Sequence, residues 1–352
     1  MQVYLDSFGA YLSVRNGQFR VRLSSGEERL FAVRQVSALL LTKGTGMSAD
    51  AALLAVENDI PVLLLDAQTH YPLAQVSSGQ PGNIATVRKN QPAFSRAPEG
   101  WTWVAGVIAQ KIDNQRALLR QLAESPAAPA GFADDIRVTD RILAALGQGF
   151  SDWQPDKKLA LPDEATAARF RGQEGTASRI YFQKIAAFLS KKLPAAGESE
   201  DTLPPFEGRQ KRPAHDPFNA LLNYLYGMLY TSVHLALLKS GLDPYIGVMH
   251  ADRYGGAPTL VFDAIEPYRP WADAVAVQIM ESGQLSADFF EPDAEERGLW
   301  LSNTGKSAVI DAMLAFMEIN TAYKGRQVKR KVQIDLDAQR LAVRVRTVDG
   351  AW

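Results

Sequence analysis

Cysteine is absent from the 352 residues, which excludes disulfides and every thiolate site, zinc or iron-sulfur. Any metal must then be held by oxygen and imidazole. The N-terminus, MQVYLDSFGAYLSV, lacks a basic region followed by an apolar core, and no later apolar run reads as long enough to span a membrane. A soluble, cytoplasmic protein with no membrane contact is the expectation. A basic excess is also missing, since 38 Lys and Arg against 39 Asp and Glu leave a formal net charge of -1. Dedicated nucleic-acid binders often carry such an excess, so a role of that kind rests here on local clusters. There are two: Arg209, Lys211 and Arg212 in GRQKRP, and Lys324, Arg326, Lys329, Arg330 and Lys331 in KGRQVKRK. Either one alone reads as a solvated surface.

Apolar residues make up 46% of the chain, enough for two cores, and the length favours two domains. From Tyr4 to about Val76 the pattern is short strands and tight turns. Ala10–Val14 leads into Asn16-Gly17, a two-residue hairpin signal, after which Phe19, Val21 and Leu23 alternate with polar neighbours. Leu30–Val36 and Ala38–Leu41 continue the strands, Ser48 caps a short helix through Asn58, and Val62–Leu65 and Thr69–Val76 close the series. The expectation is a small, mostly antiparallel β domain over residues 1–80, with edge strands able to pair with a second copy. SSGQPGN (Ser77–Asn83) has linker composition, and residues 81–97 are read as the linker between domains.

Residues 98–352 read as mainly helical. Val104, Val107, Ile108, Lys111, Ile112, Gln115, Leu118, Leu119 and Leu122 fall at three-four spacing, predicting one amphipathic helix over Pro98–Glu124. A second is expected over Asp134–Leu146 with Gly147 as its stop. A third starts near Asp163 and carries RFRGQEGTASRIYFQKIAAFL, where Gly172 and Gly175 bracket Glu174. Two interior glycines each cost a helix roughly 1 kcal/mol, so close backbone approach or a kink is expected there. Glu174 alone reads as an exposed helical acid, and Arg171 and Arg179 beside it as partners for that acid or for a phosphate. After a proline-bearing loop, Asp216-Pro217 opens a helix ended by Gly241. Its Asn219, Asn223, Tyr226 and Tyr230 form a stripe that either lines a polar groove or is bonded internally. NTGKS (Asn303–Ser307) is not a Walker loop, because position 300 is Trp300 where that loop needs glycine. The apolar helix after it, Ala308–Ala322, reads as core.

The stretch with most chemistry is HADRYGGAPTLVFDAIEPYR (His250–Arg269). Asp263 and Glu266 fall three apart, one face of a helical turn, and two acids there repel unless a positive charge lies between them. A divalent metal is an economical partner, with His250 adding nitrogen from across the Gly255-Gly256 loop.

RGQEG, GLDPYIGVMH and VFDAIEPYRP occur in that order, with KIDNQ (Lys111–Gln115) before them and DPFNALLNYLYG between the first acid motif and the histidine. In this order the chain resembles the CRISPR-associated endonuclease and integrase family, the larger adaptation protein Cas-one, over nearly its full length. The resemblance implies an α+β multidomain fold: a small N-terminal β-sandwich-like domain used for dimerisation, then a larger all-α C-terminal domain holding one metal site. Carried over by position, it makes Glu174, His250 and Glu266 the ligands of Mg2+ or Mn2+, with Asp263 as the adjacent supporting acid. Arg171, Arg179 and Arg269 would position phosphates, with Asn223 or Tyr226 as strand contacts. Ala257 departs from the family, whose members commonly have a basic residue there, and Arg253 would supply the charge. The basic run near the C-terminus is also less typical of the family.

The implied activity is phosphodiester transesterification or hydrolysis without ATP. A DNA 3' hydroxyl attacks a phosphodiester, inserting donor fragments beside a CRISPR repeat, in a homodimer assisted by the small Cas-two partner. Two other readings share these residues: a non-catalytic DNA-binding scaffold, and a structure-selective nuclease acting on branched DNA.

Overall fold

The computed structural model describes residues 1–76, 85–155, 164–190, 204–210, 213–250, 257–283, 285, 287–292 and 298–348. After β1 (Gln2–Leu5), strands β2 (Tyr11–Arg15) and β3 (Gln18–Arg22) pair antiparallel across Asn16 and Gly17, both at positive φ. β4 (Glu28–Phe31) ends earlier than the expected Leu30–Val36 strand, because Val33–Gln35 closes into a 3-10 turn. β5 (Ala38–Thr42) and the short β6 (Gly46–Met47) precede α1 (Ala49–Glu57), whose first turn is capped by the Ser48 hydroxyl accepting from the Ala51 N–H. β7 (Val62–Leu65) and β8 (Pro72–Val76) follow.

These strands form two four-stranded sheets, ordered β1-β5-β7-β8 and β4-β3-β2-β6. The sheets are mixed, not mostly antiparallel: β5 runs parallel to β1 and β7, and β6 runs parallel to β2. For β5 and β7 the cause is α1, a crossover that returns the chain to the same end before β7 begins. Leu39 and Leu41 join Val3 and Leu5 against Leu12 and Phe19 of the other sheet, which makes a sandwich. On the opposite face Ala38, Leu40, Leu63 and Leu65 pack on Leu235 of the helical part. Burial on both faces is why Ala38–Leu41 is a continuous apolar run without alternation.

α2 (Ala85–Arg96) occupies most of the stretch 81–97 read as a linker, while 77–84 lie outside the described residues. Its Gln91 amide donates to the carbonyls of Asp243 and Ile246, so α2 is tied into the helical part. α3 (Pro98–Ala123) is the expected long helix. α4 (Phe132–Ser151) runs past Gly147, which lies inside the helix facing Ile112 and stops nothing. α5 (Glu164–Leu189) is continuous through Gly172 and Gly175, and a Cβ at either would meet nothing within 4 Å. The close approach expected there is absent.

α6 (Pro217–Lys239) is capped by the Asp216 carboxylate and ends before Gly241 at φ 79. By length and composition it is apolar enough to cross a membrane, contrary to the sequence reading, and 83% of its apolar window is buried. The Thr69 carbonyl of the β domain would lie 1.8 Å from a Cβ at Gly227, so only glycine permits this contact. α7 (Thr259–Ala264), a 3-10 turn at Glu266–Tyr268 and α8 (Arg269–Glu281) follow. The rest combines α9 (Asn303–Glu318) and α10 (Arg330–Thr347) with two antiparallel ribbons, β9 (Phe290–Pro292) with β10 (Leu299–Leu301) and β11 (Asn320–Tyr323) with β12 (Arg326–Lys329). The C-terminal part is helical with these ribbons inserted, and the helix expected through Ala322 stops at Glu318 because Asn320 begins a strand. NTGKS forms the first turn of α9, and the Lys306 ammonium donates to Gln68.

Candidate functional site

Three elements converge: α3 brings Lys111, α5 brings Glu174, and the segment from α7 to α8 brings Asp263, Glu266 and Arg269. Lys111 lies on the apolar stripe of α3, and its side chain is 8% exposed. A buried ammonium requires paired charge. It donates to Glu174 and, at 2.6 Å, to Oε2 of Glu266. The Ser178 hydroxyl donates to the same Glu174 oxygen at 2.7 Å, one helical turn on. The other oxygen of Glu266 accepts from Nε of Arg269 at 2.8 Å.

Burial pushes the Lys111 ammonium down, yet Glu266 and then Glu174 outweigh it and hold it above its ordinary value. Burial likewise pushes the Glu266 carboxyl up, but Arg269, Lys111 and more weakly His250 bring it to about 2.

Asp263 faces elsewhere than Glu266, so the two acids do not confront each other on one face. Its Oδ2 accepts the Val248 N–H at 2.6 Å and the Met249 N–H at 3.2 Å, and its Oδ1 lies 2.6 Å from Nδ1 of His250. Gly247 makes this possible, because a Cβ there would lie 2.7 Å from the Thr259 backbone and 2.9 Å from Asp263 Oδ2. Asp263 therefore holds Nδ1 of His250 and leaves Nε2 as the ring nitrogen for a ligand.

Among the described residues, no three His, Asp or Glu side chains already stand together as a metal-holding group. The Lys111 ammonium lies between Glu174 and Glu266. The donor chemistry nevertheless fits a hard divalent ion, with two carboxylates converging on one positive charge and an imidazole oriented by a third carboxylate.

The other expected site residues divide. Arg171 reaches the Met249 carbonyl at 3.4 Å and Glu164 at 2.5 Å, tying α5 to the loop before His250. Arg179 is exposed on α5, and Arg269 lies 4.9 Å over the Tyr226 ring. Asn223 accepts from Arg209 at 2.8 Å, and the buried Tyr226 hydroxyl donates to Asp273 at 2.6 Å. The stripe on α6 is thus internally bonded and not a polar groove. Arg253, Lys211, Arg212 and the Gly255-Gly256 loop lie outside the described residues.

Sequence reading missed two buried charged groups. Lys111 was legible as a lysine on an otherwise apolar stripe. Asp273, 1% exposed, takes hydroxyl hydrogens from Tyr181 and Tyr226, and burial outweighs these to raise it to about 6. Its signal was a lone acid within the apolar turn WADAVAV of α8.

Behind the 3-10 turn that carries Glu266, a groove of about 660 Å³ runs between α3, α6, α10 and the β11–β12 ribbon. Trp103, Trp271, Tyr323, Lys324, Arg340 and Arg344 line it.

Comparison with known proteins follows the same outline. Residues 3–314 match the family described as CRISPR associated protein Cas1. A CRISPR-associated endonuclease Cas1 of Rhodospirillum rubrum is 31% identical over 296 residues, covering 82% of this chain and 78% of that protein. The fold is shared with a casposase bound to integration product, at a TM-score of 0.74 and 19% identity over 98% of this chain and 90% of the casposase. It is shared too with a Cas6-RT-Cas1–Cas2 complex chain, at 0.73 and 22% identity over 98% of this chain, which spans 35% of that longer one.

Proposed function

The chain belongs to the CRISPR-associated Cas1 family, and from that premise we propose that it is a divalent-metal-dependent DNA integrase of CRISPR adaptation. It inserts captured DNA fragments into the repeat array, where a donor 3' hydroxyl attacks a phosphodiester and one target 3' oxygen leaves. One phosphodiester replaces another, so no ATP is consumed.

The observation that carries this reading is the convergence of Glu174 and Glu266 on one cation, and His250 is supplied by the same segment as Glu266 with its Nδ1 held by Asp263. Glu174, Glu266 and His250 would hold Mg2+ or Mn2+. Such an ion polarises the phosphate and neutralises charge on the entering and leaving oxygens. Asp263 fixes the imidazole, Arg269 fixes Glu266, and Arg171 and Arg179 on α5 supply positive charge for the phosphate backbone. A scaffold without chemistry has no use for a buried and a half-buried acid converging on one point.

Donor DNA, a homodimer built through the β domain, and a Cas2 partner complete the proposed assembly; the chain of the same fold in the Cas6-RT-Cas1–Cas2 complex assembles with Cas2. The groove with two tryptophans and four cations, Lys324, Arg330, Arg340 and Arg344, suits a single-stranded end of the donor, by stacking and phosphate contact.

The test is strand joining. Purified protein with its Cas2 partner and Mn2+ joins 3'-hydroxyl oligonucleotides to a plasmid carrying the repeat, whereas Glu174→Ala and His250→Ala do not. Equal joining by either variant removes that residue from the site. Because the Rhodospirillum relative is called an endonuclease, hydrolysis of branched duplexes is the second reading, and comparing rates on branched and free-ended DNA separates the two.

A further inference from the structure

We infer that Lys111 is the resident counter-ion of the Glu174–Glu266 pair and is exchanged for the divalent ion when that ion binds. The inference rests on the reading of Glu174 and Glu266 as metal ligands, and it assigns a role to a residue outside that ligand set.

Lys111 donates to one oxygen of each carboxylate, the oxygens that converge between α3, α5 and the 3-10 turn. The ammonium occupies the position between those two oxygens in which a metal ion held by both would sit. A purely structural salt bridge is a poor account, for two reasons. Glu266 already has Arg269 as a close partner through its other oxygen, so Lys111 is not needed to neutralise it. Buried ion triads also add little stability compared with apolar packing of the same volume.

Charge counting leads the same way. Glu174 and Glu266 contribute two negative charges, and Lys111 and Arg269 contribute two positive ones, so the four groups sum to zero. With the buried Asp263 carboxylate counted as well, adding a divalent ion leaves +1 while Lys111 stays in place and zero once it withdraws. Lysine suits such an exchange better than arginine, being a point charge on a flexible four-carbon stem. The lysine keeps the two acids from repelling before metal arrives, and a metal held by both takes its place.

The test measures Mn2+ affinity of the full chain by calorimetry and by Mn2+ EPR, with melting temperatures recorded alongside. Lys111→Met is expected to bind Mn2+ at least tenfold more tightly than wild type, to melt lower without metal, and to recover most of that loss with Mn2+. Lys111→Arg keeps the charge, so it folds without metal and binds Mn2+ no more tightly than wild type. Equal or weaker binding by Lys111→Met, its failure to fold even with Mn2+, or tighter binding by Lys111→Arg each overturns the exchange. Glu174→Gln and Glu266→Gln test the underlying reading separately. If both bind Mn2+ like wild type, the ligand assignment fails; if both lose it while Lys111→Met gains nothing, only the exchange fails.

Discussion

Asp263 sits between a histidine and a loop, with Oδ1 2.6 Å from Nδ1 of His250 and Oδ2 accepting the N–H of Val248, also at 2.6 Å. Acceptance at both oxygens needs a carboxylate, and this sets the first prediction. In Asp263→Asn the amide oxygen can still face Val248, but its NH2 then meets Nδ1 of His250. The imidazole must then accept at Nδ1 and carry its hydrogen on Nε2, which removes the lone pair a metal would use. Strand joining should fall about 10- to 100-fold, as for other carboxylates that orient a ligating histidine. Joining rates in Mn2+ decide it, and an Asp263→Asn protein that joins at the wild-type rate removes Asp263 from its orienting role.

Tyr226 is predicted to matter for stability and not for strand contact. Its hydroxyl is buried and donates to Asp273, which also takes the Tyr181 hydroxyl at 2.9 Å. Tyr226→Phe leaves one oxygen of a buried carboxylate without its donor, at a cost of about 1–3 kcal/mol. Urea denaturation should show that loss, while DNA affinity under conditions where the variant is folded stays at the wild-type value. A weaker DNA complex with unchanged stability would return Tyr226 to the DNA interface.

The sequence made much of this legible because local rules and tertiary structure agree over long stretches. The Asn16-Gly17 hairpin, the Ser48 and Asp216 caps and the α3 stripe are all set by residues within a few positions of each other. What failed was set at a distance. Gly147 looks like a helix stop, but it is retained inside α4 where it faces Ile112 of α3. The parallel pairing of β5 with β1 depends on a crossover, which alternation cannot reveal. At the site, spacing found Asp263 and Glu266 but could not show that they face different partners. The positive charge expected between two acids exists, yet it lies between Glu174 and Glu266 and comes from Lys111, 63 residues before Glu174.

Acid should loosen the junction between the two parts of the chain. His70 is 3% exposed and lies 5.5 Å from the rings of both Tyr4 and Tyr224, and its carbonyl accepts from Thr231 of α6. Burial lowers its pKa from 6.5 to about 4, against a smaller opposing effect from Asp66. The unfolded chain therefore binds the proton more readily. The stability linked to His70 is fully present above pH 6.5 and is lost as pH falls from there toward 4. From pH 7 to 5 the loss through this group is about 2 kcal/mol. His234 is lowered to about 4 by burial too and adds in the same direction. His70→Asn, which tolerates the positive φ of 59 at this position, should show a shallower fall in urea-derived stability between pH 7 and 5. Parallel pH profiles for wild type and variant would mean that His70 does not drive the loss.

The groove behind Glu266 allows charge and stacking to be told apart. Arg344 is exposed on α10 at its wall, and Trp271 presents a ring to it from α8. If a single-stranded end lies there, Arg344→Ala removes a phosphate contact. Affinity for a short single-stranded oligonucleotide should then weaken about equally for all sequences, and the slope of log affinity against log salt should drop by roughly one. Trp271→Ala removes a stacking surface instead, so it should cost about 1–3 kcal/mol while leaving the salt slope unchanged. The two variants thus separate on the salt axis even where their losses of affinity are equal. If both leave oligonucleotide affinity intact while His250→Ala still abolishes joining, the strand reaches the site by another face, and the groove's cations serve the folded chain alone.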